Sequence, residues 1–295
     1  MEHNILTELH KRYLNLSLEV GSYEALWDQG DFIGYAKLAK MFENGSKRPS
    51  NFIAAEIAEK YYSEVMKRVT SANINHFGVT MRGSQNYQTS FLDAQSPLEV
   101  IYYQGLWDLV CTPCVAIIGT RQPSEAGVRR TQKLTQGLVE KGFTIVSGLA
   151  AGIDTVAHQT AIKLNGKTIG VIGTPLSVVY PKENKDLQQK IAQDHLLISQ
   201  VPFIKYEKQN LKTKRFYFLE RNKTMSVLTK ATIIVEAGET SGTLVQAEAA
   251  LKQKRKLFIL QNNFENPKLT WPLKFKQKGA VCIKNFDDLF ENLKK

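Results

Sequence analysis

The residues best placed to do chemistry lie in a few short turns of the 295-residue chain. Gly119-Thr120-Arg121 follows the run Val115-Ala116-Ile117-Ile118, and Ser147-Gly148-Leu149-Ala150-Ala151-Gly152-Ile153-Asp154 follows Thr144-Ile145-Val146. Each turn closes a β-branched run and precedes a helix-like stretch. Small residues there let the backbone approach a phosphate, and the start of the next helix points amides at it. Arg121 adds a guanidinium able to grip a phosphate with two parallel hydrogen bonds, although a plain surface arginine fits the position too.

Later turns repeat the theme. In Tyr180-Pro181-Lys182-Glu183-Asn184, Pro181 stiffens the loop, Asn184 can cap the next helix, and Lys182 projects toward the same crest. After Glu236, the residues Ser241, Gly242 and Thr243 open another helix. Their hydroxyls and free amides can cradle an anion, a role compatible with simple capping. Between these turns, Phe216, Tyr217, Phe218, Arg221, Asn222 and Lys223 follow Lys205, Lys208, Lys212, Lys214 and Arg215. The segment reads as a loop before a helix over 221–229. Rings stack on unpaired bases while cations track the backbone, at about 1–3 kcal/mol per stacked base. A solvated lysine-rich loop that buries its rings fits equally well. Asp154 is expected to cap a helix starting at Thr155, and His158 to hydrogen-bond locally.

These turns need a frame to hold them in a row. Strands are expected at 114–118, 144–147, 168–172, 196–199, 232–236 and 256–260, with helices at 125–140, 154–165, 184–193, 221–229 and 243–253. Such alternation predicts an α/β fold: a Rossmann-like, doubly wound, mostly parallel sheet with helices on both faces. A short final helix is expected over 286–293. Residues 1–75 look like a small helical N-terminal domain, with Leu6, Leu9, Tyr13 and Leu14, then Ala54, Ile57, Ala58, Tyr61 and Tyr62, at helical spacing. Gly45-Ser46-Lys47-Arg48-Pro49-Ser50 punctuates it as a turn. Residues 76–113 lack a clean period and read as a connector, leaving 114–295 as the α/β domain.

Composition narrows the partners. The formal net charge is +11, from 39 basic and 28 acidic residues. That balance suits a polyanion, although a generally lysine-rich set of proteins would also produce it. No apolar run approaches the roughly 20 residues a membrane helix needs. The start Met1-Glu2-His3-Asn4 has no signal pattern, so a cytoplasmic protein without membrane contact is expected. Cys111-Thr112-Pro113-Cys114 opens a strand rather than a helix, and no histidine sits at ligand spacing. Neither metal, redox centre nor cofactor is expected. The chain lacks a GxxxxGK[ST] loop and a GxGxxG fingerprint, and its second strand ends in Ser147-Gly148 without an acid for a ribose diol. No Ser-His-Asp or H-E-x-x-H pattern appears.

Together these blocks resemble the DNA-processing protein A family (DprA/Smf). The resemblance rests on Gly119-Thr120-Arg121; the block from Ser147 to His158; Gly173 through Tyr180-Pro181-Lys182-Glu183-Asn184; Phe218-Leu219-Glu220-Arg221-Asn222-Lys223; and Glu236 with Ser241-Gly242-Thr243. It implies a Rossmann-like protein that binds single-stranded DNA, protects incoming strands in natural transformation, helps load the RecA recombinase, and works as a homodimer without catalytic turnover. It places Arg121 and Lys182 in a phosphate-binding pocket bordered by Gly119, Thr120, Arg221, Asn222, Ser241 and Gly242. The sequence departs from the family in several places. Thr120 stands where serine is common, Ser199-Gln200-Val201-Pro202 loses an acid and a ring, and Gln261-Asn262-Asn263-Phe264 replaces a Pro-Gly turn. A C-terminal winged helix, common in relatives, is not expected. The related LOG-type nucleotide hydrolases are the rival. Their Pro-Gly-Gly turn is absent from Ala237-Gly238-Glu239-Thr240-Ser241-Gly242-Thr243, and Glu248 has no matched arginine.

Overall fold

The computed structural model describes residues 14–29, 34–42 and 47–294. The expected helical positions Leu6, Leu9 and Tyr13, and Gly45 and Ser46 of the expected turn, lie outside the described residues. Among the described residues the centre is a nine-stranded sheet. Its strands are β1 (Gly78–Met81), β2 (Val100–Gly105), β3 (Cys114–Ile118), β4 (Thr144–Ser147), β5 (Thr168–Ile172), β6 (Leu196–Ser199), β7 (Ala231–Ile234), β8 (Lys256–Leu260) and β9 (Val281–Ile283). They lie in the order β1-β2-β6-β5-β4-β3-β7-β8-β9. All pairs from β6 to β9 are parallel, whereas β2 runs antiparallel to β6 and to β1.

The inner strands β3 to β7 are buried at every residue. A parallel strand covered by helices on both faces needs an unbroken apolar or β-branched run, which is what these segments supply. From β3 the chain winds one way through β4, β5 and β6. It then returns to β7, on the other side of β3, and winds outward through β8 and β9. The winding reverses between β3 and β7, with Val115 opposite Ala231 and Ile118 opposite Ile234. In a doubly wound sheet, the crevice at the carboxyl ends of those two strands is where ligands bind. The Rossmann-like expectation holds, and Gly119 and Glu236 flank this crevice.

Eleven α-helices are described. They are α1 (Leu16–Gln29), α2 (Tyr35–Met41), α3 (Ala55–Ser71), α4 (Glu125–Glu140), α5 (Ile153–Lys163), α6 (Lys185–Asp194), α7 (Phe203–Lys208), α8 (Leu211–Val227), α9 (Thr243–Lys252), α10 (Trp271–Gln277) and α11 (Phe286–Lys294). Several segments depart from the sequence reading: α7, α10 and β9 were not expected, and two further stretches change role. Residues 76–113, read as a connector, contribute β1 and β2, so this stretch completes the antiparallel edge of the sheet. The expected loop around Phe216 is helical, because α8 begins at Leu211 and Asn210 caps it by accepting from the Thr213 amide at 2.9 Å.

The N-terminal helices share their core with the sheet. Val20, Tyr23, Trp27, Tyr35 and Val65 join Tyr102, Ile172, Leu197, Phe203 and Tyr217 in one buried cluster. The Glu24 carboxylate of α1 accepts from Tyr102 Oη at 2.8 Å and from the amides of Phe203 and Ile204 at 2.9 and 3.0 Å. The helices thereby sit on the sheet and on the first turn of α7. No helix among the described residues is long and apolar enough to cross a membrane.

Candidate nucleic-acid interface

The crest is built from the strand ends upward. Beyond β3, the Thr120 amide donates to the Glu236 carbonyl at 2.7 Å, which ties the β3 and β7 loops across the crevice. The Thr120 carbonyl accepts from Ile153 at 3.2 Å, so the third loop joins them. Gly152 makes that junction with φ +82°, and a Cβ there would run into the Thr120–Arg121 backbone. The Thr120 hydroxyl is used locally, accepting from the Gln122 amide at 3.2 Å. Arg121 is exposed and makes no ion pair among the described residues.

Behind this junction lies a buried polar layer. Ser147 Oγ donates to the Ile117 carbonyl at 2.6 Å and is fully buried. Asp154 does not cap α5 as expected. Gly152 occupies that N-cap position, and the Asp154 carboxylate turns back to accept from the amides of Gly148 and Ala150 at 3.2 and 3.4 Å. Asn184 is buried too, donating to the Leu149 carbonyl at 2.9 Å and to Thr155 Oγ1 at 2.8 Å. His158 bonds locally as expected, with Nδ1 2.7 Å from Thr168 Oγ1, and burial pulls its pKa down to about 3.

Arg221 of α8 crosses this layer. It is only 5% exposed, and its Nη1 donates to the carbonyls of Gly148 and, at 2.8 Å, Val171. A Cβ on Gly148 would occupy the space of the guanidinium. Nε donates to Asn222 Oδ1 at 2.9 Å, and Asn222 Nδ2 reaches the Gly242 carbonyl at 3.2 Å. Burial pulls the Arg221 pKa down to about 10, the Asp154 carboxylate opposes that shift, and Arg121 adds to it. Burial raises the Asp154 pKa, and Arg221 counters it. Arg221 is thus a structural cation as well as part of the cleft wall.

The resulting cleft has a volume of about 750 Å³ and is open to solvent. Gly119, Thr120, Arg121, Phe218, Arg221, Asn222, Ser241, Gly242 and Thr243 line it, so the structure brings these expected residues together. Arg121, Arg215 and Arg221 face one acid in the lining, Asp154, whose carboxylate is occupied. Tyr180 stands at the wall 46% exposed, edge-on to Phe218 with centroids 5.2 Å apart.

Other expected contacts resolve differently. Ser147, Gly148 and Asn184 support the cleft from within rather than line it. Lys223 points to the far side of α8, ion-paired with Glu220 at 2.6 Å and lining a separate hollow beside α9. Lys182 is exposed on the turn between Tyr180, which lines the cleft, and Asn184, which is buried. The anion cradle at α9 is largely spent. Ser241, Thr243, Leu244 and Val245 already donate their amides to Gly238 O, Ser241 Oγ, Ser241 O and Gly242 O. Arg215, Tyr180, Thr240 and Gln246 line the cleft without having been placed there from the sequence. For Arg215 the signal was present. Residues 211–227 contain neither glycine nor proline, and Arg215, Phe218 and Asn222 then fall on one helical face.

Fold and site together define a class: a doubly wound α/β protein with a shallow, arginine-lined cleft at its switch point. The model of the DNA recombination-mediator protein A family matches residues 78–294, and the chain belongs to that family. Protein Smf of Synechocystis is 37% identical over 212 residues, covering 70% of this chain and 52% of that protein. DNA processing protein DprA of Bacillus subtilis is 32% identical over 236 residues, covering 80% of this chain and 77% of that one. The chain therefore spans about half the length of the Synechocystis protein. The crystal structure of Streptococcus pneumoniae DprA superposes with a TM-score of 0.67 at 29% identity, covering 97% of this chain and 96% of that one. The structure of Helicobacter pylori DNA processing protein A, described for its single-stranded DNA binding mode, gives 0.62 at 30% identity, covering 74% and 95%.

Proposed function

We propose that this chain is a single-stranded DNA-binding recombination mediator that holds the strand across the switch-point cleft. One observation carries the reading: Arg121 and Arg215, exposed and without an ion pair among the described residues, stand beside the exposed ring of Tyr180 and the half-buried ring of Phe218. Cations hold the phosphates and rings take the bases, a combination that tolerates any sequence but requires unpaired bases. The relative described as binding single-stranded DNA shares the fold and lends support. In the cell the protein protects incoming single strands during natural transformation and helps load a RecA recombinase. It acts as a cytoplasmic homodimer; these roles rest on family membership.

Nucleotide hydrolysis fits less well. Glu248 is ion-paired with Lys278 at 2.8 Å and lines the separate hollow beside α9. The test is a binding series on single-stranded and duplex DNA over a range of salt. Single strands are expected to bind more tightly, with affinity falling steeply as salt rises. In Arg121→Ala/Arg215→Ala the slope of log K against log salt is expected to shrink by up to about 1.4, two phosphate contacts' worth. Preference for duplex, or an unchanged slope in the folded variant, overturns the proposal.

A further inference from the structure

The cleft does not end at Thr120. Thr120 and Gly238 also border a second hollow of about 440 Å³, whose far wall includes Arg130 and Asn262. Those two residues in turn border a third hollow of about 560 Å³ between α4, the end of β8 and the start of α11. The strands concerned, β3, β7, β8 and β9, are parallel, so their carboxyl ends share one rim of the sheet. Through shared walls, the three hollows form a single trough along that rim.

The outer part of this trough carries its own charge. Arg130 and Lys133 lie one helical turn apart on α4, and Lys284 follows β9. All three are exposed, and none is ion-paired among the described residues, whereas Arg129 next door is tied to Glu125 at 3.4 Å. Below them the floor is apolar, with Leu134, Ile283 and Leu289 buried. Two acids border this outer part of the trough: Glu265 in the outer hollow, outnumbered there by the three cations, and Glu236 in the middle one, whose carboxylate already accepts from the Ser124 amide and hydroxyl at 3.0 and 2.7 Å.

We propose that a single strand gripped at Arg121 continues along this trough toward the β9 edge. Its phosphates lie against Arg130, Lys133 and Lys284, and its bases lie over the Leu134–Ile283 floor. Cations above an apolar floor suit a polynucleotide, and continuity with the cleft makes the occupant the next stretch of the same strand. The inference rests on the single-stranded DNA reading and adds a direction and a minimum length to it.

The test measures fluorescence anisotropy of oligothymidylates of about 4 and about 16 nucleotides, the two ends of common single-strand site sizes. The variant is Arg130→Ala/Lys133→Ala/Lys284→Ala. The control, Lys60→Ala/Lys163→Ala/Lys167→Ala, removes the same charge from exposed sites outside the trough. Thermal melts confirm that both fold. The trough variant is expected to lose at least about tenfold affinity for the long strand, with a salt slope lower by up to about two, and to keep wild-type affinity for the short one. The control is expected to behave as wild type on both. Wild-type affinity of the trough variant for the long strand, or an equal loss in the control, overturns the trough and leaves the cleft reading in place. Failure of the wild-type protein to bind either length overturns the cleft reading itself.

Discussion

Two regions of this molecule bury charge, to opposite ends. At the crest, Arg221 is buried beside Asp154 and spends its Nη1 on the Gly148 and Val171 carbonyls. At the seat of the N-terminal helices, Glu24 is buried among Tyr23, Tyr102 and Tyr217 and accepts three donors. The crest charge holds loops of small residues in a shape that leaves Arg121 free. The seat charge fastens one layer of aromatic-rich helices to another and leaves nothing free. Helix α8 belongs to both regions, because Tyr217 packs 6.4 Å from Trp27 and Tyr35 while Phe218, Arg221 and Asn222 turn to the cleft. A buried ion is weak evidence of stabilisation and stronger evidence of specified geometry, and the two regions show which geometry each specifies.

The sharpest test of that difference is to remove the crest cation. Arg221→Ala leaves the Gly148 and Val171 carbonyls without their donor and Asp154 without its counter-charge. A loss of about 3–5 kcal/mol in urea unfolding is expected, since breaking a buried pair strands the remaining charge. Arg221→Lys is expected to recover only part of it, because one ammonium cannot reproduce the planar fork that serves the loop and Asn222 together. Full stability in Arg221→Ala would break the comparison by making Arg221 a ligand contact only. Gly148→Ala comes next. Its methyl must displace the guanidinium, and about 1–3 kcal/mol of overpacking cost is expected in the same assay.

Opposite in sign are the pH effects of the two regions. Burial lowers the His158 pKa from 6.5 to about 3 in the folded state. The unfolded chain then binds the extra proton, so stability is complete above pH 6.5 and falls as pH drops toward 3. For Glu24, burial raises the pKa from 4.5 to about 7. Here the folded state holds the extra proton, so stability is complete below pH 4.5 and falls as pH rises through 7. Each group acting alone contributes a slope of up to about 1.4 kcal/mol per pH unit. Between pH 4.5 and 6.5 the two slopes oppose each other, so unfolding free energy there is expected to fall with rising pH in His158→Asn and to rise with pH in Glu24→Gln, relative to a flatter wild type. The same pH profile in both variants as in wild type would remove the opposition between the two regions.

Much of this architecture is legible in the sequence. The strands over 114–118, 144–147, 168–172 and 196–199 form where the β-branched runs placed them, because doubly covered parallel strands leave a continuous apolar signature. The antiparallel edge was not legible. β1 spans only four residues starting at Gly78, and β2, although six residues long, ends at Gly105 and is hemmed by Gly83, Ser84 and Pro97, which read as turn signals. Helix α8 was half-missed for another reason. It packs on two sides, with Tyr217 in one cluster and Met225 in another, so no single apolar stripe marks it. The site shows the same limit. Composition marks arginines, but it does not separate one that meets solvent from one that meets carbonyls. That distinction arises only when β4, β5 and α8 meet around Arg221.

Arg121→Ala therefore provides the complementary measurement, with the smallest expected effect on stability. Arg121 is exposed and has no carboxylate partner among the described residues, so its removal is expected to change unfolding free energy by no more than about 0.5 kcal/mol. It also relieves Arg221 of a like charge, which is expected to raise the Arg221 pKa slightly and to oppose any loss. Binding is expected to respond differently, with weaker association and a salt slope reduced by about 0.7, one phosphate contact. A variant as stable as wild type yet impaired in binding separates the guanidinium that reads the ligand from the one that builds the cleft. Destabilisation comparable to Arg221→Ala would merge the two arginines into one structural unit and leave the crest without an assigned contact.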